Sequence, residues 1–183
     1  MSFSKKVKEE LAGQISDARH CRLAEIAAIH AFGGLLIQDK SNLYLKLQTE
    51  NLTVARKYFT LLKKTFNISI DVSVKQNLNS KDSQTYIIIV KNKEMVSRIL
   101  QATKQNPAEA EDGKIQSPGQ LVVQNTCCKR AFIRGAFLLS GSMSNPKKSY
   151  HLEFVTDDIL KAEMLKDVIC TFSIDAKIIQ RKR

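Results

Sequence analysis

The chain has 183 residues, of which 43% are hydrophobic, and its 29 lysines and arginines outnumber 18 acidic residues, for a formal net charge of +11 at pH 7. This composition excludes a disordered polymer and fits one globular unit or two small halves that share a core. The basic balance favours polyanionic partners, nucleic acid first, with simple solubility as the alternative explanation.

The start of the chain and its apolar runs predict a cytoplasmic protein. No apolar run approaches the ~20 residues that a membrane span needs, so we expect no membrane association. Residues 1–11 are charged and lack the apolar stretch of a secretion signal.

Helical and strand periodicities alternate along the first half. In chain order, we expect helices over 4–11 and 19–32, a strand over 43–48, a helix over 49–66, strands over 68–75 and 86–90, and a helix over 92–103. Ser4 is the expected cap of the first helix, and Gly33 with Gly34 ends the second. In the strand over 68–75, alternation predicts that Val72 and Val74 face the core.

The second half repeats the first. A helix over 127–139, a strand over 150–154, a helix over 157–172 and a strand over 174–179 follow the same order. Gly34 and Gly141 are 107 residues apart (141 − 34), and so are Thr49 and Thr156 (156 − 49). The segments "TFNISIDVSVKQ" and "TFSIDAKIIQRK" are also similar and occupy corresponding positions of the two halves. The sequence therefore predicts an internal duplication.

The duplication predicts a division into two halves. Residues 1–104 form the first half with its N-terminal helix, 105–125 form a linker rich in proline and glycine, and 126–183 form the second half. The second half stops after its strand over 174–179, so we expect it to be truncated.

The cysteines and histidines show no zinc-binding spacing. Cys21, Cys127, Cys128 and Cys170 include no CxxC pair, so we expect no structural zinc. We interpret the adjacent pair at 127 and 128 as small buried thiols at a helix start rather than a redox device. His20 is interpreted as a surface or capping residue, and His30 as a buried histidine with satisfied hydrogen bonds.

The two repeated helices resemble a known motif. "AAIHAFGG" (27–34) and "RGAFLLSGS" (134–142) resemble the LAGLIDADG helices of homing endonucleases, which cross at the domain interface and each end in an acid followed by glycine. At larger scale, "SFSKKVKEEL" and "CCKRAFIRGAFLLSGSMSNPKKSYHLEF" resemble the WhiA family of regulators tied to cell division and sporulation, across essentially the whole chain.

The resemblance implies an α+β fold, a duplicated αββαββα LAGLIDADG homing-endonuclease-like unit with pseudo-two-fold symmetry. Complete family members continue into a C-terminal helix-turn-helix domain. Nothing after Arg183 supplies that domain here. We therefore do not expect this chain alone to bind DNA strongly and with sequence specificity.

By the same resemblance, Phe32 and Ser140 stand at the two acid positions. Phosphodiester cleavage in this fold needs a carboxylate from each helix to hold a divalent metal. Phenylalanine cannot bind metal, and a serine hydroxyl is a poor ligand for Mg²⁺. The chain also has no glycine-rich phosphate loop, nucleophile elbow or HExxH motif. We therefore expect no enzyme activity, no cofactor and no metal.

Small residues predict close approach of the two motif helices near the pseudo-two-fold axis. They are Ala24, Ala27, Ala28 and Ala31 in the first helix and Ala131 and Gly135 in the second. Leu139 stands close to a point where such helices usually carry a small residue, so we expect looser packing around Leu139.

The resemblance also points to the sheets, which form a saddle over DNA in homing endonucleases, where a two-stranded ribbon fits the major groove. Outward polar residues of the strands and a basic pair in a loop are the candidate DNA contacts: Tyr44, Lys46, Gln48, Ser73, Lys75, Lys147, Lys148, His151, Lys177 and Arg181. Asp71, Glu153 and Asp175 interrupt the basic character of this face.

Two functions remain open from the sequence. The first is a nucleoid-associated, non-catalytic DNA module of a transcription regulator that acts in cell division, chromosome segregation and sporulation. The second is a protein-interaction scaffold that positions a separate helix-turn-helix domain or recruits a division partner. Binding driven by phosphates weakens steeply with salt, whereas an apolar protein contact does not.

Overall fold

A computed structural model of the chain describes residues 1–182. Its helices are α1 (Phe3–Ala12), α2 (Arg19–Gly33), α3 (Leu52–Phe66), α4 (Lys93–Ala102), α5 (Thr126–Ser140) and α6 (Ile159–Cys170). Its strands are β1 (Gly34–Asp39), β2 (Asn42–Thr49), β3 (Asp71–Gln76), β4 (Gln84–Val90), β5 (Gly141–Met143) and β6 (Leu152–Phe154). The predicted α+β class is confirmed. No helix within residues 1–182 is long and apolar enough to cross a membrane.

The first half holds a four-stranded antiparallel sheet in the order β1-β2-β4-β3. Leu47 pairs with Ile88 and Leu45 with Val90 across β2 and β4, and all four side chains are buried. They share one core with apolar residues of α2, α3 and α4. The second half holds a two-stranded sheet, β5-β6.

Side-chain caps move several helix starts from their predicted positions. The Asn51 side chain accepts hydrogen bonds from the first backbone N–H groups of α3, so the helix begins at Leu52 rather than at Thr49. Ser2, not Ser4, caps α1. The Ser4 hydroxyl instead donates to the Met143 carbonyl at 2.9 Å, which ties α1 to β5.

The strands also depart from the sequence expectations. Strands β1 and β5 were not predicted, and they follow directly on α2 and α5. The predicted strand over 174–179 is absent, because no described strand pairs with those residues. Val72 lies on the predicted side of the sheet, since it pairs with the buried Ile88, but β3 is an edge strand, and Val72 and Val74 are each 53% exposed rather than buried.

The segment over 105–125 packs against both halves, since Ile115 lies in the first-half core and Val123 lies in a cluster with second-half residues. The Gln105 amide donates to the Ala27 carbonyl at 2.9 Å, and the Leu36 N–H donates to the Gly113 carbonyl at 2.7 Å. Gly113 has φ +77°, and a Cβ there would lie 2.9 Å from the Leu36 carbonyl oxygen, so the contact requires glycine. Ile115 and Val123 are buried. The segment is therefore anchored rather than a free tether.

Candidate functional site

Helices α2 and α5 cross in backbone contact at Gly135. A Cβ on Gly135 would lie 2.6 Å from the Glu25 carbonyl oxygen and 2.9 Å from the Ala28 Cβ. Nearer the helix starts, Ala24 and Ala131 are both fully buried in one small cluster. Ala27 and Ala31 are buried on α2 as well. The crossing therefore lies where the sequence places its small residues.

A buried ion pair joins the same helices to α3. Lys57 Nζ lies 3.2 Å from Glu25 Oε1, and neither side chain has exposed surface. Arg134 of α5 lies 3.2 Å from the other Glu25 oxygen. Burial lowers the pKa of Lys57, and the Glu25 charge opposes that shift. Sequence reasoning missed this network, although both charges interrupt the apolar face of their helices.

His30 lies in a closed polar cluster within the core. Its Nδ1 is 3.0 Å from Gln105 Oε1, which can only accept, so Nδ1 donates and Nε2 accepts from the Tyr58 hydroxyl at 2.8 Å. Burial lowers the pKa of His30 to about 4, and the hydrogen bond that His30 donates to Gln105 opposes this shift. Burial also raises the pKa of Tyr58. The prediction of a satisfied buried histidine is confirmed.

The helix ends correct one predicted position. Helix α2 ends at Gly33 and α5 at Ser140, and the next residue of each donates its N–H to the carbonyl of His30 or Phe137. The counterpart of Ser140 is therefore Gly33 rather than Phe32. A Cβ on Gly33 would lie 2.5 Å from Leu139 Cδ1, so Leu139 fills this space and the packing is not looser there.

The side chains near these helix ends are occupied with packing. The Phe32 ring meets Phe132 edge-on, with ring centroids 6.4 Å apart. The Ser140 hydroxyl donates to the Ala136 carbonyl at 2.8 Å. Phe32, Gly33 and Ser140 carry no carboxylate.

The four-stranded sheet brings together part of the predicted DNA face. Gln48 on β2 and Ser73 on β3 both pair with Ile87 of the intervening β4. Gln48 and Lys75 line one cleft, and Glu50 lines it too. Tyr44 and Lys46 lie further along β2, both half-buried. This surface, which we call the polar sheet face, is defined by Tyr44, Lys46, Gln48, Ser73 and Lys75.

The predicted contacts of the second half lie in exposed segments. Lys147 and Lys148 stand in the turn between β5 and β6. Glu153 contacts two of the candidates, with His151 Nε2 at 3.4 Å and Arg181 at 3.1 Å. Lys177 is exposed in the stretch over 174–182, which has no regular secondary structure.

Family models match both halves of the chain. The model of the WhiA N-terminal LAGLIDADG-like domain matches residues 19–104, and that of the WhiA LAGLIDADG-like domain matches residues 129–183. A probable cell division protein WhiA of Lachnoclostridium phytofermentans is 50% identical over the whole chain, and one of Alkaliphilus oremlandii is 40% identical. The chain spans 59% and 58% of the lengths of these relatives.

Solved structures share the fold. The crystal structure of the N-terminal LAGLIDADG domain of DUF199/WhiA superposes with a TM-score of 0.72 at 20% identity, covering 99% of this chain and 80% of that one. A variant of the homing endonuclease I-DmoI, in complex with its target DNA, gives 0.56 at 10% identity, covering 86% and 79%. The predicted LAGLIDADG-like fold is confirmed, and the matches across both halves show that the chain belongs to the WhiA family.

Proposed function

We propose that this chain is the non-catalytic, DNA-associated module of a WhiA-type transcription regulator that acts in cell division, chromosome segregation and sporulation. The polar sheet face carries the proposal. It presents lysine, glutamine, serine and tyrosine side chains on an antiparallel sheet of the kind that fits a DNA groove, in a chain of net charge +11. Nucleoid association in the cell would follow from this contact.

Two features support a structural rather than catalytic role for the helix ends. Metal-dependent cleavage in this fold needs paired carboxylates. Gly33 and Ser140 occupy symmetric positions without one, and Leu139 fills the space beside Gly33. The residues present do not fit the divalent metal of a homing endonuclease. Purified protein should leave supercoiled plasmid intact in Mg²⁺ or Mn²⁺, and metal-dependent nicking that copurifies with the folded chain would contradict the proposal.

DNA contact is tested by a triple substitution of exposed and half-exposed lysines. Lys46→Ala, Lys75→Ala and Lys177→Ala together should weaken binding to unrelated duplexes. The dependence of log affinity on log salt should flatten by about one unit per lost phosphate contact. The measurement is fluorescence anisotropy of a labelled duplex at several salt concentrations, with circular dichroism to show that the variant is folded.

A matched control removes the same charge elsewhere. Lys6, Lys63 and Lys93 are exposed on α1, α3 and α4. Their triple alanine variant lowers the net charge equally, so it separates a localised contact from general attraction. Equal salt slopes in the two triple variants would exclude the polar sheet face as the DNA surface.

One observation favours the alternative, a protein-interaction scaffold. Large apolar side chains of the second half lie exposed, among them Tyr150 (93%), Leu160 (66%) and Ile179 (80%). Exposed apolar patches mark contact surfaces. Such a surface would position a helix-turn-helix domain or bind a division partner. Under this alternative, the triple substitution of Lys46, Lys75 and Lys177 leaves DNA binding unchanged.

A further inference from the structure

Four metal-ligating side chains meet where α2 and α5 begin. His20 and Cys21 belong to α2, Cys127 and Cys128 belong to α5, and their ligand atoms all lie within 4.8 Å of one another. His20 Nδ1 is 3.1 Å from the sulfur of Cys128, 3.4 Å from that of Cys21 and 3.9 Å from that of Cys127. We call these four residues the cysteine cluster.

The internal duplication builds this cluster. His20 and Cys127 are 107 residues apart, the same offset that relates Gly34 to Gly141. Cys21 and Cys128 share that offset (128 − 21). One dipeptide in each half therefore supplies two ligands, and the helix crossing brings the two dipeptides together. This is why the spacing of cysteines along the sequence showed no metal motif.

One expectation from the sequence is corrected here. Cys127 is exposed, so the pair at 127 and 128 is not two buried thiols. His20 is exposed, as one of its two sequence interpretations had it, while Ala18 occupies the N-cap of α2 and the His20 ring faces the sulfurs.

We propose that the cysteine cluster binds one Zn²⁺ in a closed tetrahedral site that joins the two halves. Three thiolates and one imidazole are a ligand set of structural zinc sites. Zn–S bonds of ~2.3 Å and a Zn–N bond of ~2.1 Å place sulfur and nitrogen about 3.6 Å apart in a tetrahedron. The observed nitrogen–sulfur distances, from 3.1 to 3.9 Å, lie on both sides of that value. Four protein ligands leave no open coordination position, so the role is structural.

The surroundings allow the ion to enter and offset the charge of its site. A cleft of about 300 Å³ opens on Cys21 and Cys127, which gives a path from solvent. Arg130 and Arg134 line the same cleft. Zinc with three thiolates and a neutral imidazole carries one net negative charge, which these arginines favour.

Cobalt titration of the reduced, chelator-stripped chain tests the proposal. We expect one equivalent of Co²⁺ to bind with the visible bands of tetrahedral thiolate coordination, and Zn²⁺ to displace it. Zinc should also raise the melting temperature, because a ligand that binds only the folded state stabilises it. Cys127→Ser should weaken metal binding by more than about 100-fold, since even outer partners of metal ligands contribute 10- to 100-fold.

Cys170→Ser is the matched control, because Cys170 is an exposed free cysteine outside the cluster. It should bind metal as the unsubstituted chain does. Since Cys127 is exposed, its serine variant should keep its circular dichroism spectrum, which separates loss of the site from loss of the fold. Absence of tetrahedral bands, unchanged affinity in Cys127→Ser, or a disulfide within the cluster that persists under reducing conditions would each overturn the proposal.

Discussion

The two halves of this molecule are built from one repeated unit, yet the first has a large core, whereas the second has a small cluster that includes Ala28 of the first half. In the first half, β4 lies between β2 and β3, and α3 and α4 cover the sheet. In the second half, β5 and β6 pair alone, and Leu152 is 52% exposed. A two-stranded ribbon is marginal by itself. The comparison teaches that the second half depends on the helix crossing with the first.

The largest expected effect is at Glu25, which pairs with Lys57 of its own half and with Arg134 of the second half. Glu25→Gln keeps the shape of the side chain but leaves Lys57 without its buried counter-charge. Breaking a buried pair from one side costs about 3–5 kcal/mol, so we expect a loss of that order in the free energy of unfolding. Urea denaturation followed by circular dichroism measures it.

The control is the exposed pair between Asp17 and Lys64, whose side chains are 102% and 42% exposed. Asp17→Asn should cost less than about 1 kcal/mol. Similar losses in Glu25→Gln and Asp17→Asn would show that the buried network around Glu25 stabilises the fold no more than an exposed ion pair does.

A second difference between the halves is a pH response. His30 has Phe137 as its counterpart in the repeat, so only the first half carries a buried imidazole. With its pKa lowered to about 4, His30 stays neutral in the folded chain where an unfolded chain binds a proton. Stability should therefore be full above about pH 6.5 and fall by about 3 kcal/mol as the pH drops towards 4.

His30→Gln should cost stability at neutral pH and remove that part of the slope. Urea melts from pH 4 to 7 on reduced, chelator-treated protein measure both effects. His151→Gln, at an exposed position, should keep the slope of the unsubstituted chain. A slope that survives in His30→Gln would assign the pH response to another group.

The helix crossing itself should respond to a single methyl group. Gly135→Ala places a Cβ against the Glu25 carbonyl and Ala28, the residue that corresponds to Gly135 in the first half. Overpacking costs about 1–3 kcal/mol, and the better helix propensity of alanine returns up to about 1 kcal/mol. We expect a net loss of about 1 kcal/mol or more in thermal or urea melts.

Gly119→Ala is the matched control, since a Cβ there meets Lys104 Cβ at an ordinary 3.6 Å. Its stability should stay within about 0.5 kcal/mol of the unsubstituted chain. Gain of stability in Gly135→Ala would mean that the helices can separate at no cost.

The smallest effect concerns two segments with similar sequences. Asp71–Gln76 forms β3 through pairing with β4, whereas residues 174–179 have no strand partner within residues 1–182. Hydrogen exchange followed by mass spectrometry should show slow exchange of paired amides in β3 and near-unprotected exchange over 174–179. Equal protection would indicate that the second segment finds a partner in solution.

Local patterns predicted the helices well because apolar spacing and capping act within a few residues. Helices α2, α3, α4 and α5 lie within a few residues of their predicted bounds, and the offset of 107 residues identified the repeat. Strands were harder to predict from local patterns, because a segment becomes a strand only where a neighbouring strand pairs with it. β1 has such a partner in β2, and the segment over 174–179 has none among the described strands. Pairing is a property of distant residues.

The sequence by itself determined the fold class, the duplication, the small residues at the helix crossing and the absence of acids at the helix ends. Only the tertiary structure decided which residues meet across the crossing. The ion pair of Glu25 with Lys57 and the cysteine cluster of His20, Cys21, Cys127 and Cys128 each join residues from separate elements. The ion pair depends on the packing of α3 against α2, and the cysteine cluster depends on the close approach of α2 and α5, so helix packing makes neighbours of residues far apart in the chain.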